Sequence, residues 1–174
     1  LLMHNYSYAG RGSVSTSNFN VLSCQGNLTI KLEGINTLTQ TVSSDSGINV
    51  NGDLVITGSH DLNVVAPNTG IYAVGSIVID NDGGEIEVES GKFGLYSYGV
   101  SNFGNSYGGT VVVKSGEVII RTTDNSTDEN SYAININKYR SVVLGDTMRI
   151  RASTDENAAF SELGEFKADK IKTY

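Results

Sequence analysis

Short runs of alternating apolar and polar residues recur along the chain in a fixed order of three kinds. The first kind is GINV from Gly47, GIYA from Gly70, GLYS from Gly94 and AINI from Ala133. The second is NLTI from Asn27, DLVI from Asp53, SIVI from Ser76, TVVV from Thr110 and SVVL from Ser141. The third is DLNV from Asp61, EIEV from Glu85, EVII from Glu117 and TMRI from Thr147, with TLTQ from Thr37 a weaker member. Alternation of this sort predicts strands with one face inward. The inward pairs of the first kind are Ile48/Val50, Ile71/Ala73, Leu95/Ser97 and Ile134/Ile136. Those of the second include Leu54/Ile56, Ile77/Ile79 and Val111/Val113, and those of the third Leu62/Val64, Ile86/Val88 and Val118/Ile120.

Gly70 and Gly94 restart the pattern 24 residues apart. Three strands per period predict a triangular coil. One coil cannot bury its inward face alone, so coils must stack. The expected fold is all-β: a right-handed, single-stranded parallel β-helix with three strands per coil and about five coils plus end caps. A β-sandwich also has many short strands, but they are antiparallel and its turns do not recur on a three-part beat. One domain is expected over 1–174. It divides into an N-terminal coil over 1–26, regular coils over 27–152 and a C-terminal cap over 153–174. Phe160, Leu163 and Phe166 would cover the open end of the core there. The abrupt start at Leu1 suggests an excised piece of something longer, with further domains in the same chain. Two insertions interrupt the beat, at Val100–Gly109 and Thr122–Tyr132. Solenoid insertions leave from corners and often carry specific contacts.

Composition removes several functions. The formal net charge is −7, with 12 Lys and Arg and no basic run. Nucleic acid is therefore not an expected partner, since phosphates call for clustered cations. No run of about 18 apolar residues exists, so membrane insertion is not expected either. Cys24 is the only cysteine, which leaves no intrachain disulfide and no Cys-rich zinc site. Twenty glycines against one proline, Pro67, indicate many turns.

The order LLMHNYSYAG, GNLTIKLEGINTLT, GINVNGDLVITGSHDLNVVA and GIYAVGSIVID carries a resemblance. It is similar to the β-helical, carbohydrate-binding-like domains of large secreted surface proteins from Gram-positive anaerobes. The resemblance covers nearly the whole chain and weakens after about Ser153. It implies a secreted or cell-surface module that binds polysaccharide or a cell-surface glycan, or acts in adhesion, without chemistry of its own. Inward residues dominate the motif, so it speaks to fold more than to function.

Three candidate chemistries remain. Parallel β-helices also carry polysaccharide lyases and hydrolases, which need calcium ligands with a base, or two carboxyl groups about 5–10 Å apart. Glu85, Glu87 and Glu89 alternate outward on one strand. Their cross-strand neighbours offer a plainer use: Glu89 beside Arg121 and Glu117 near Arg149, as solvated ion pairs. Calcium is a possible cofactor at two acidic turns, around Asp80 and Asp82 and around Asp124 and Asp128. Neither has the glycine that a calcium-hand loop requires at its sixth position. His4 and His60 have no partner motif.

The third candidate is an aromatic face. Tyr72 and Tyr96 fall outward in adjacent coils, Tyr98 joins them two residues along, and Asn49 and Asn135 continue the column. Sugars present apolar C–H faces to rings, and amides suit their hydroxyls. The expectation is an exposed ligand-binding platform walled by the two insertions. The alternative is a stability ladder within a structural stalk or spacer. Val55, Val78, Val112 and Val143 form a second outward column, an apolar strip that some other segment would cover.

Overall fold

The computed structural model describes the backbone of residues 1–11, 19–102, 105–107, 109–123, 132–136, 141–144, 149–154 and 165–168, and the side chains of 1–11, 19–99, 109–123 and 132–135. The first coil is β1 (Leu2–His4), β2 (Ser7–Gly10) and β3 (Leu22–Cys24). The second is β4 (Leu28–Glu33), β5 (Asn36–Gln40) and β6 (Ser46–Val50), and the third β7 (Leu54–Gly58), β8 (Leu62–Ala66) and β9 (Thr69–Ala73). The fourth has one long strand, β10 (Ile77–Ser90), followed by β11 (Phe93–Ser97). A hairpin of β12 (Val100–Asn102) and β13 (Asn105–Tyr107) comes next. Then follow β14 (Val111–Thr122), β15 (Tyr132–Ile136), β16 (Ser141–Leu144), β17 (Arg149–Thr154) and β18 (Glu165–Ala168).

Apart from the antiparallel β12–β13 hairpin, these strands form the three expected ladders, which are parallel throughout, with no helix among the described residues. The first ladder is β3, β6, β9, β11 and β15. The second runs β1, β4, β7, β10, β14, β16 and β18, and the third pairs β2, β5, β8, the second halves of β10 and β14, and β17. The chain is a parallel β-solenoid, and three turns, from Leu28 to Ser97, are described without a break. Ile48, Ile71, Leu95 and Ile134 stand in one register column, all fully buried. The inward pairs Leu54/Ile56, Ile77/Ile79, Val111/Val113 and their third-ladder counterparts fill the same core.

Three local features differ from the sequence expectation. The second and third strands of a coil are continuous in β10 and β14, where separate strands were expected. Each turns its corner through an irregular register near Asp80–Glu85, with Gly83 at φ 81° and Gly116 at φ 96°. Secondly, TLTQ is a full member of the beat. Leu38 and Gln40 are both buried, because the Gln40 amide donates to the Phe19 carbonyl and accepts from the Thr41 and Val42 N–H groups. Thirdly, β18 continues the second ladder, with Phe166 opposite Val142. Phe160 and Leu163 lie outside the described residues.

Corner side chains bind coil to coil. Asn27 Oδ1 accepts from the Asp53 N–H at 2.9 Å, and Asp53 Oδ1 from the Ser76 N–H at 2.8 Å. Ser76 Oγ accepts from the Thr110 N–H at 3.2 Å. Glycine before each first-ladder aliphatic residue has a packing cause. A Cβ on Gly47 would collide with Val64 Cγ1, one on Gly70 with Val88 Cγ1, and one on Gly94 with Ile120 Cγ2. The equivalent residue in the next coil is Ala133, fully buried, and there the register replaces the bulky third-ladder residue with Ala152.

Candidate functional site

At Gly94 the alternation of the first ladder is interrupted. Gly94 and Leu95 both face the core, so the alternation slips by one and Phe93 and Tyr96 both face outward. Their ring centroids are 4.9 Å apart. Register places Asn49 beside Tyr72, Tyr72 beside Tyr96, and Tyr96 beside Asn135. Tyr72 and Tyr96 meet edge to face at 5.4 Å and 85°. Tyr98 lies 6.4 Å from Tyr72 and 6.1 Å from Tyr96. Tyr132 stacks on Phe93 at 6.5 Å and 13°, and Lys92 Nζ sits 5.5 Å from the centre of the Phe93 ring.

The five residues read from the sequence thus come together on one face. Tyr98 is 52% exposed, as expected of a platform. Tyr72 and Tyr96 are half-buried rather than open, because each ring packs its edge or face on a neighbour. Burial raises the pKa of both phenols above the ordinary 10.0, and the neighbouring tyrosines add to it. Both rings are therefore neutral hydrogen-bonding groups at physiological pH. Simple alternation misses Phe93 and Tyr132. Aligning FGLYS with YAINI pairs them directly, and that alignment is visible in the sequence.

The backbone beside this face is fixed by ladder bonds. The Tyr98 N–H donates to the Ala73 carbonyl and the Gly99 N–H to the Val74 carbonyl, both at 2.9 Å. Ser97 Oγ donates to the Gly75 carbonyl at 2.8 Å. Gly99, at φ 69°, then turns the chain into the β12–β13 hairpin. One insertion therefore leaves the coil next to the most exposed ring. The other joins Thr123 to Tyr132, and residues 124–131 lie outside the described residues.

A family profile described as carbohydrate-binding domain-containing protein matches residues 4–170, nearly the whole length. The chain belongs to this carbohydrate-binding family. No curated protein and no solved structure matches it. The family description concerns sugar binding, and two of the acidic side chains raised above, Asp80 and Glu87, have polar partners. Asp80 Oδ1 accepts from Ser115 Oγ at 2.9 Å, and Lys114 Nζ lies 3.8 Å from Asp80 Oδ2. Glu87 accepts from Arg121. Sequence register pointed to Glu89, which does lie opposite Arg121, but the long guanidinium reaches diagonally to Glu87 instead.

Away from the rings, this carbohydrate-binding domain has an acidic corner. Asp61, Asp82, Glu85 and Glu117 line a shallow space of about 420 Å³ there. Asp82 is exposed, and Asp61 Oδ1 accepts from the Glu85 N–H at 3.0 Å. No three His, Cys, Asp or Glu side chains gather in metal-binding fashion among the described residues. Asp124 and Asp128 fall outside them. His4 lies 3.6 Å from Glu33, and His60 beside Ser59. Val55, Val78 and Val112 stand in one column, half-buried; Val143 continues the column in register.

Proposed function

We propose that the chain is a non-catalytic carbohydrate-binding module whose binding face is the aromatic cluster of the first ladder. One observation carries the reading: in a member of a carbohydrate-binding family, Tyr72, Tyr96, Tyr98, Phe93 and Tyr132 converge on one side of the solenoid. Rings offer C–H stacking, and Asn49 and Asn135 offer donors and acceptors at either end. Each ring contact contributes roughly 1 kcal/mol. Weak contacts repeated along a polymer gain avidity, which suits polysaccharide better than a monosaccharide. The resemblance to secreted surface proteins of Gram-positive anaerobes supports a cell-surface setting and a part in adhesion.

The edge-to-face packing of Tyr72 on Tyr96 favours a second use, as a ladder that stiffens a stalk. Replacing Tyr72→Ala together with Tyr96→Ala separates the two. We expect binding in a polysaccharide screen to fall at least tenfold, with the strand signal in circular dichroism intact. A wild-type chain that binds no glycan, or a double variant that binds as well, leaves the rings a purely structural role.

A further inference from the structure

We infer that the polymer taken by this face is an uncharged polysaccharide, and that it lies along the solenoid axis with its sugar units crossing successive rungs. The inference rests on the aromatic face being the binding face, and it adds the ligand's charge and direction.

Charge comes first. The outward column of the first ladder reads Ser23, Asn49, Tyr72, Tyr96, Asn135. The column beside it reads Gln25, Asn51, Val74, Tyr98, linked by ladder bonds and by Asn51 Nδ2 donating to Gln25 Oε1 at 2.9 Å. Neither column contains an ionisable carboxylate, lysine or arginine. Among the described residues, Glu85, Glu87 and Glu89 stand on the third ladder, outside both columns. The insertion that leaves beside Tyr98, VSNFGNSYGG, has no charged residue at all. The insertion that precedes Tyr132 is acidic, with Asp124, Asp128 and Glu129. A uronate or sulfated polymer would have to shed water onto a neutral face within a negative chain. Among the described residues, Lys92 is the cation set over these rings, at the edge beside Phe93. A neutral polymer meets no such opposition.

Direction follows from topology. Asn49, Tyr72, Tyr96 and Asn135 occupy four successive rungs, spanning about 14 Å at about 4.8 Å per rung. That spacing is close to the advance of one pyranose unit in an extended chain. Rings lie at the centre of the row and amides at its ends, which matches stacking in the middle and hydroxyl contacts outside. Following the strands instead, a polymer would pass Tyr98 and reach Gly99, where the backbone leaves the face for the hairpin. The axial path toward Asn49 and Ser23 continues over the same ladder.

The test is titration calorimetry of the whole chain with neutral glucan, mannan and galactan oligosaccharides of two to six units, and with polygalacturonate, at low and high salt. We expect neutral oligomers to bind with an affinity that salt does not change, rising with length and levelling at about four units. Asn49→Ala and Asn135→Ala should each weaken the longer oligomers several-fold, and by a larger factor than they weaken a disaccharide. Salt-sensitive binding of polygalacturonate that still depends on Tyr72 and Tyr96 overturns the neutral assignment and keeps the face. A length plateau at two units, or indifference to both asparagine variants, overturns the axial direction. Binding that ignores Tyr72→Ala with Tyr96→Ala overturns the face itself, and the inference with it.

Discussion

Gly70 lacks a side chain because Val88 occupies the space that one would take. The same exchange is written at Gly47 with Val64 and at Gly94 with Ile120. Corner volume is shared between two residues on different strands. Gly70→Ala should therefore cost about 1–3 kcal/mol through overpacking. The cost should shrink in a Val88→Ala background, although the Gly94 carbonyl, 2.9 Å from the added Cβ, leaves part of it in place. A double-mutant cycle by chemical denaturation reads this directly. Additive losses would show that the two positions do not share the space.

At the scale of the element, the first ladder joins a dry inner face to an aromatic outer one. Tyr72 and Tyr96 resist ionisation because folding buries their rings and sets other phenols beside them. A phenol whose folded pKa is raised contributes stability in full below the ordinary tyrosine value. That contribution is lost as pH rises through the folded value, because the unfolded chain ionises first. Melting temperature should accordingly hold steady to about pH 9 and fall beyond pH 10. Phenolate absorbance should show a late-titrating component that Tyr72→Phe with Tyr96→Phe removes. A single titration at the ordinary value in the wild type would contradict the packing. Much of this element was legible in the sequence. Ile48, Ile71 and Leu95 form the column that the beat implies, since inward alternation leaves a parallel stack few other registers. The outward row was legible only in part. Alternation alone sends Phe93 inward with Leu95, whereas its ring packs against Tyr96 and stays half-buried. Arg121 was misassigned for a related reason, because register fixes Cα neighbours and a long side chain then chooses among diagonals.

At the scale of the whole molecule, stacked turns are near-equivalent parts. Leu54 and Ile77 are register partners, as are Leu62 and Ile86, and Ile71 and Leu95. Deleting residues 54–76 therefore brings Ile77 against Leu28 and Leu95 against Ile48, one turn shorter and in unchanged register. The shortened chain should keep its strand-rich circular dichroism and a cooperative, lower melting transition. Without Tyr72 it should bind glycan more weakly. Loss of the fold would show that the turns are not interchangeable. The corner formed by Asn27, Asp53, Ser76 and Thr110 gives this repetition an arrow. The side-chain oxygens of Asn27, Asp53 and Ser76 each receive the N–H of the turn that follows. During synthesis the earlier turn emerges first and holds out an acceptor for residues still unmade. A lesion at Asp53 should accordingly be inherited downstream, loosening the turn begun by Ser76 while sparing the one that ends there. Gene duplication meets the same asymmetry: a copied turn arrives with its own acceptor for whatever is spliced after it.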